Sequence, residues 1–266
     1  MIGQTKLHNE LKSYNIDTLP STILFLGEKG CGKHTLAKEL SNKFNLDLIE
    51  ISNNISLEYI QEIYTKALPA FYLINVDIIT ERQQNMILKF IEEPIKGSFI
   101  ILLSSSKASL LNTIINRCVI FTFSPYSKLE LEHFIDNKMD IADILNICNT
   151  PGQILSTNIK IITDLKSLCK KIIFMLSKAN YSNTLSIAQK INFKDEFDKF
   201  DINMFFNALS TELLNAYIQT TNEYYIKMYK ITLNEKKKLL DSRLNKEMLM
   251  EYFLTLLWEN AKNEIK

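Results

Sequence analysis

The segment Gly27-Glu28-Lys29-Gly30-Cys31-Gly32-Lys33-His34-Thr35 carries the residue types and spacing of a phosphate cradle. Glycines at such a turn let backbone N–H groups close around an anion, and a lysine beside them adds a positive charge. The candidate anion-binding residues are therefore Gly27, Gly30, Gly32, Lys33, His34 and Thr35. One position departs from the pattern. The residue after the lysine should be Ser or Thr, whose hydroxyl ligates the magnesium ion of a bound nucleotide, but it is His34, and Thr35 lies one place too late.

A loop of this kind works only between a strand and a helix. The run Thr22-Ile23-Leu24-Phe25-Leu26 precedes it without any apolar/polar alternation, which predicts a strand buried on both faces in a parallel sheet. Leu36, Ala37, Leu40 and Phe44 follow at helical spacing. Further strands are predicted over Leu46–Ile51, Phe71–Ile74, Phe99–Leu103 and Val119–Phe123. Between them come helices at Ser56–Leu68, from Thr80 to Pro94 with Thr80 and Gln83 spaced for a capping box, and at Leu110–Asn116. A helix over Lys6–Tyr14 precedes the first strand. Strands alternating with helices predict an α/β fold on a five-stranded parallel sheet.

Beyond Pro125 the apolar strand runs stop. Short helices are predicted over Leu129–Asn137, Ile141–Cys148 and Gln153–Ser156, then longer ones over Leu165–Leu176, Thr184–Ile191, Ile202–Tyr217, Tyr224–Ile231 and Lys246–Ala261. The last has an apolar stripe including Met248, Tyr252, Leu256 and Trp258 to Ala261, and Lys236-Lys237-Lys238 is expected on a solvated helix face. The expected division is a nucleotide-fold domain over 1–124, a small helical lid over 125–158 and a helical domain over 159–266.

Composition narrows the possibilities. The 266 residues hold 31 Lys+Arg against 30 Asp+Glu, so no whole-chain charge favours nucleic acid. The four cysteines, Cys31, Cys118, Cys148 and Cys169, include no Cys-x-x-Cys pair, so reduced thiols are expected rather than zinc ligands or disulfides. No stretch reaches the roughly 18 apolar residues of a membrane span, and a cytoplasmic location is expected.

Four further stretches occur together and in order. Ile2-Gly3-Gln4, Leu19-Pro20, Asn85-Met86-Ile87-Leu88-Lys89-Phe90-Ile91-Glu92-Glu93-Pro94 and Thr113-Ile114-Ile115-Asn116-Arg117-Cys118 resemble the AAA+ subunits of DNA polymerase clamp loaders over roughly the first 155 residues. The resemblance implies an AAA+ sheet domain, a lid and a C-terminal helical collar that closes a hetero-oligomeric ring. The implied partners are other clamp-loader subunits, a sliding clamp and primer-template DNA, with no membrane. It also implies that Arg117 serves in trans, as an arginine finger reaching a neighbouring subunit's ATP.

Within that family the departures resemble the delta-prime, non-hydrolysing kind. Where the ATP-hydrolysing subunits end the third strand in Asp-Glu, for magnesium and for the attacking water, this chain has Asn75-Val76. Gly152 stands where a lid arginine would reach the γ-phosphate, and Ser104 and Ser105, at the first sensor position, are expected to cap a strand end instead. ATP binding is accordingly expected to be weak or absent, and no zinc is expected. The alternative is an active hydrolysing subunit of the gamma or small-subunit type, using Lys33, Thr35 and Asp77. A P-loop small-molecule kinase would explain neither the Arg-Cys motif nor the helical tail.

Overall fold

The computed structural model describes residues 3–135, 140–177, 201–240 and 246–264. The chain divides into two compact units, Met1–Tyr126 and Ser127–Lys266.

The first unit is an α/β sheet domain. Its strands β1 (Thr22–Leu26), β2 (Asp47–Glu50), β3 (Ala70–Asn75), β4 (Phe99–Ser104) and β5 (Val119–Thr122) form one sheet in the order β2-β3-β4-β1-β5, with every neighbouring pair parallel. The register pairs Leu26 with Ser104 and Asn75 with Leu103, so β1, β3 and β4 finish at one edge of the sheet. In open α/β sheets that carboxyl-end edge is where ligands bind.

Side-chain alternation explains the uninterrupted apolar runs. Ile23, Phe25, Phe71, Leu73, Ile101 and Leu103 face one core, shared with Leu7 and Leu11 of α1 (Thr5–Ser13) and with Leu36, Ala37 and Leu40 of α2 (Lys33–Phe44). Leu24, Tyr72, Ile74, Ile100 and Leu102 face the other. That second core holds Ile60 and Ile63 of α3 (Leu57–Lys66), Ile87, Phe90 and Ile91 of the next two helices, and Ile114 of α6 (Asn112–Ile115). With both faces covered, nearly every position of the central strands β1, β3 and β4 is apolar, at roughly 1.5–3 kcal/mol for each fully buried large side chain. Gln4 fastens the start of this unit to its end: its amide donates to Ser124 O at 2.6 Å and accepts from Ser124 N at 2.8 Å.

The helix predicted from Thr80 to Pro94 is two helices, α4 (Glu81–Met86) and α5 (Leu88–Glu92), with the predicted Thr80–Gln83 capping box at the start. Ile87 between them has ψ −6, which tightens the turn. Its N–H still reaches Gln83 O at 3.2 Å and Ile91 N–H reaches Ile87 O at 2.9 Å. The ladder is interrupted there, but Ile87, Phe90 and Ile91 still enter one core, and this is why the sequence shows a single stripe.

The second unit is helical: α7 (Lys128–Glu132), α8 (Ile141–Ile147), α9 (Pro151–Ser156), α10 (Ile159–Ser177), α11 (Ile202–Thr220), α12 (Glu223–Leu240) and α13 (Lys246–Glu264). Helix α7 stops at Glu132, shorter than the periodicity suggests, and the helix predicted at Thr184–Ile191 lies outside the described residues. Helix α11 packs against α8, α10 and α12, and α13 against α10 and α12. Phe205, Phe206 and Phe253 are fully enclosed, with Phe206 and Phe253 in edge contact at 4.9 Å.

The predicted lid and collar segments share this unit. Asn207 of α11 explains part of the join: its amide donates to Ile147 O at 2.8 Å and its carbonyl accepts from Lys236 Nζ at 2.5 Å. Lys236 thus turns to a neighbouring helix, a correction to the solvated-face expectation. On α13 the buried stripe is Met250, Phe253, Leu254, Leu257 and Ala261, while Met248 and Tyr252 of the predicted stripe are exposed. Among the described residues no helix is long and apolar enough to cross a membrane, and no cluster of His, Cys, Asp or Glu could hold a metal ion.

Candidate functional site

The glycine-rich loop leaves β1 at the carboxyl edge and enters α2 at Lys33. Gly30 (φ +84) and Gly32 (φ +100) occupy the left-handed region, where a side chain would be strained. Gly27 is required for space: a Cβ there would lie 2.7 Å from Phe123 Cβ and 3.0 Å from Cys31 Sγ. Two bonds frame the loop. Gly27 N donates to Ser104 O at 3.0 Å, and Tyr126 Oη donates to Cys31 O at 2.9 Å. The first-turn N–H groups of α2 have no intrahelical acceptors, and its N-cap, Gly32, supplies no side-chain one.

Lys33 is 9% exposed and turns back into its own loop, donating to the carbonyls of Gly27 and of Glu28, the latter at 2.9 Å. Burial holds its ammonium below the usual lysine range, with the nearby Asp77 and Glu28 charges opposing that shift. Burial likewise pushes the Cys31 thiol up. His34 is exposed and lies 2.6 Å from Glu50 Oε1 at the end of β2. Thr35 is exposed one residue further along α2.

At the end of β3, Asn75 Oδ1 accepts the Asp77 N–H at 3.2 Å, and Val76 is buried. Asp77 caps the end of β4. Its two carboxylate oxygens accept Ser105 N–H at 3.1 and 2.9 Å, and Oδ1 accepts the Ser104 hydroxyl at 2.9 Å. Ser104 Oγ, which also donates to Ser106 O at 2.9 Å, serves the strand-end capping expected of it, whereas Ser105 takes part through its backbone N–H. Gly152 lies in the second unit, in the first turn of α9.

Arg117 follows α6 on the surface of the first unit. Its Nε lies 2.5 Å from Glu92 Oε1, and Nη1 donates to Thr113 O at 2.8 Å. The residues around it point inward: Ile114 is fully buried, and Cys118 packs on the core beside α5, where burial pushes its thiol up to about 12. The alternation of inward Ile114 and Cys118 with outward Arg117 is what the Thr113–Cys118 motif encodes.

The structure thus brings Gly27, Gly30, Gly32, Lys33, His34 and Thr35 into one loop and helix start, with Asp77 and Ser104 beside it. Arg117 belongs to a separate surface. Three participants carry no local sequence signal: Glu50, Tyr126 and Glu92 meet their partners only through the fold. Glu92 lay within a quoted motif, but nothing in its spacing from Arg117 marks the pairing.

The family model for the DNA polymerase III delta subunit matches residues 49–127, a span that contains Asn75, Glu92 and Arg117 and begins after the glycine-rich loop. DNA polymerase III subunit delta' of Bacillus subtilis is 28% identical over 160 residues, covering 47% of this chain and 48% of that protein. The match thus spans about half the length of the curated relative. Among solved structures, a DNA polymerase III gamma subunit-related protein from Thermotoga maritima superposes with a TM-score of 0.45 at 16% identity, covering 96% of this chain and 99% of that one. The family match and the curated relative agree with the residue motifs: in sequence the chain is similar to DNA polymerase III clamp-loader subunits, a delta-prime subunit among them.

Proposed function

We propose that the chain is a clamp-loader subunit of the delta-prime kind. It assembles with other AAA+ subunits into a ring that places a sliding clamp on primer-template DNA, and it supplies Arg117 to a neighbour's ATP while its own loop does not hydrolyse nucleotide. The observation that carries this reading is the use made of the side chains around the loop. The backbone fits a phosphate; the side chains do not fit the magnesium that accompanies it. His34 has no hydroxyl and is engaged by Glu50, the Asn75 carbonyl caps a turn, and Val76 can neither accept a proton nor align water. Lys33 is already taken up by two loop carbonyls, which an incoming phosphate would have to displace.

One observation favours the alternative of an active hydrolysing subunit: Asp77 is close enough to Lys33 for its charge to act on the ammonium. Against it, the Asp77 carboxylate is occupied by Ser105 N–H and the Ser104 hydroxyl. Calorimetric titration of the purified chain with ATP, with and without Mg²⁺, separates the two. Weak or absent binding that Mg²⁺ does not strengthen is expected. Tight, Mg²⁺-dependent binding, together with hydrolysis abolished by Lys33→Ala, would establish the active subunit instead.

A further inference from the structure

Arg117 is exposed, yet it is held at two points. Glu92 takes its Nε and Thr113 O takes Nη1. Of the five N–H donors of a guanidinium, the hydrogen bond uses one on Nη1 and the ion pair engages the Nε side, so donors remain for a ligand. An ion pair between side chains 39% and 43% exposed contributes little to stability. What lies behind the pair is more firmly built than such a contribution requires.

The chain end of α5 that carries Glu92 is tied to two other elements. Ile91 O accepts from the buried Thr22 Oγ1 of β1 at 3.1 Å. Tyr64 Oη of α3 donates to Glu93 O at 2.8 Å and lies 3.3 Å from Lys89 O, while its ring meets Phe90 edge-on at 5.6 Å. The other anchor, Thr113, sits on α6 next to the fully buried Ile114. Both supports are therefore fixed to the core, and the arginine they hold is at the surface.

We infer that Glu92 is a positioning residue for Arg117. It fixes the guanidinium by its Nε edge, so that the remaining N–H donors are presented in one orientation to a phosphate on a neighbouring subunit. The rotamer freedom of a long side chain is then given up on folding rather than at the moment of engagement. The inference rests on the trans role proposed for Arg117, and it joins the Glu92-Glu93-Pro94 and Arg117-Cys118 stretches into one device.

The test uses the full chain assembled with its partner subunits and measures clamp- and DNA-stimulated ATP hydrolysis at matched assembly. Four variants are compared: Glu92→Gln, Glu92→Asp, Arg117→Ala, and Glu92→Gln combined with Arg117→Ala. Glu92→Gln should lower the part of the rate that depends on Arg117 by roughly fivefold, a coupling of ordinary size for directly bonded residues. Its melting temperature should stay at the wild-type value, and Glu92→Asp should fall between the two. The double variant should be no slower than Arg117→Ala alone, an outcome that a merely structural Glu92 would not give. A wild-type rate for Glu92→Gln beside a slowed Arg117→Ala, or losses that multiply in the double variant, would overturn the positioning role and leave the trans role of Arg117 standing. A wild-type rate for Arg117→Ala would remove both.

Discussion

Gln83 and Gln84 are adjacent in sequence and each makes two bonds to backbone through its amide, so replacing each by Met tests what burial is worth. Gln84 is 2% exposed; its Nε2 donates to Ser109 O at 2.9 Å and its Oε1 accepts Leu111 N–H at 3.0 Å, fixing the segment that leads into α6. Gln83 donates to Asn53 O at 2.7 Å and accepts Thr80 N–H at 2.9 Å, both at the surface. Methionine fills a similar volume but restores neither bond. Net losses of about 0.5–1.5 kcal/mol per hydrogen bond put Gln84→Met near 2 kcal/mol, because water reaches the abandoned groups poorly. For a unit of this size that is a fall in Tm of about 6–8 °C. At Gln83 water replaces the lost partners, and the cost should be less than half as large. Thermal unfolding followed by circular dichroism reads both. Equal losses for the two variants, or a Gln84→Met Tm within a degree of wild type, would refute the premise that burial decides.

Two more expectations follow from described contacts. Asn207→Leu should destabilise the second unit by about 1–3 kcal/mol, since it strips a donor from Ile147 O and an acceptor from Lys236, and chemical denaturation would detect it; an unchanged midpoint would contradict the linking role. The Cys118 and Cys148 thiols are pushed by burial from near 9 up to about 12. Above pH 9 the unfolded chain ionises them and the folded chain does not, so their contribution is complete below about pH 9 and is lost as pH rises towards 12. Melting temperatures of wild type and of a variant with Ala at both positions should converge as pH rises across that window.

The sheet was legible because its three central strands, β1, β3 and β4, are covered on both faces, which leaves unbroken apolar runs of the right length. The loop was legible because Gly30 and Gly32 answer to backbone geometry, which is local, although Gly27 answers to the approach of Phe123. The break at Ile87 was hidden because Ile87, Phe90 and Ile91 keep helical spacing and share one core across the turn. The pairings His34–Glu50, Glu92–Arg117 and Asn207–Lys236 were illegible for a common reason. Each joins residues from different elements, and nothing local in either sequence neighbourhood records the other. Lys236 was misassigned because a run of three lysines gives no clue that one of them spans to Asn207.

The side chains around the glycine-rich loop have consequences for reversibility. Placing a serine at position 34 would supply a hydroxyl but leave Glu50 without its imidazole partner. An aspartate at position 75 would place a second carboxylate next to Asp77, and it could accept the Asp77 N–H only with that repulsion added. Lys33 would have to leave the Gly27 and Glu28 carbonyls that now accept its hydrogen bonds. Under the non-hydrolysing role proposed above, each single step back gives up an existing contact before any gain in metal binding appears. Such a loop behaves as a one-way valve in sequence space, open to drift around its retained backbone shape and closed to piecemeal return.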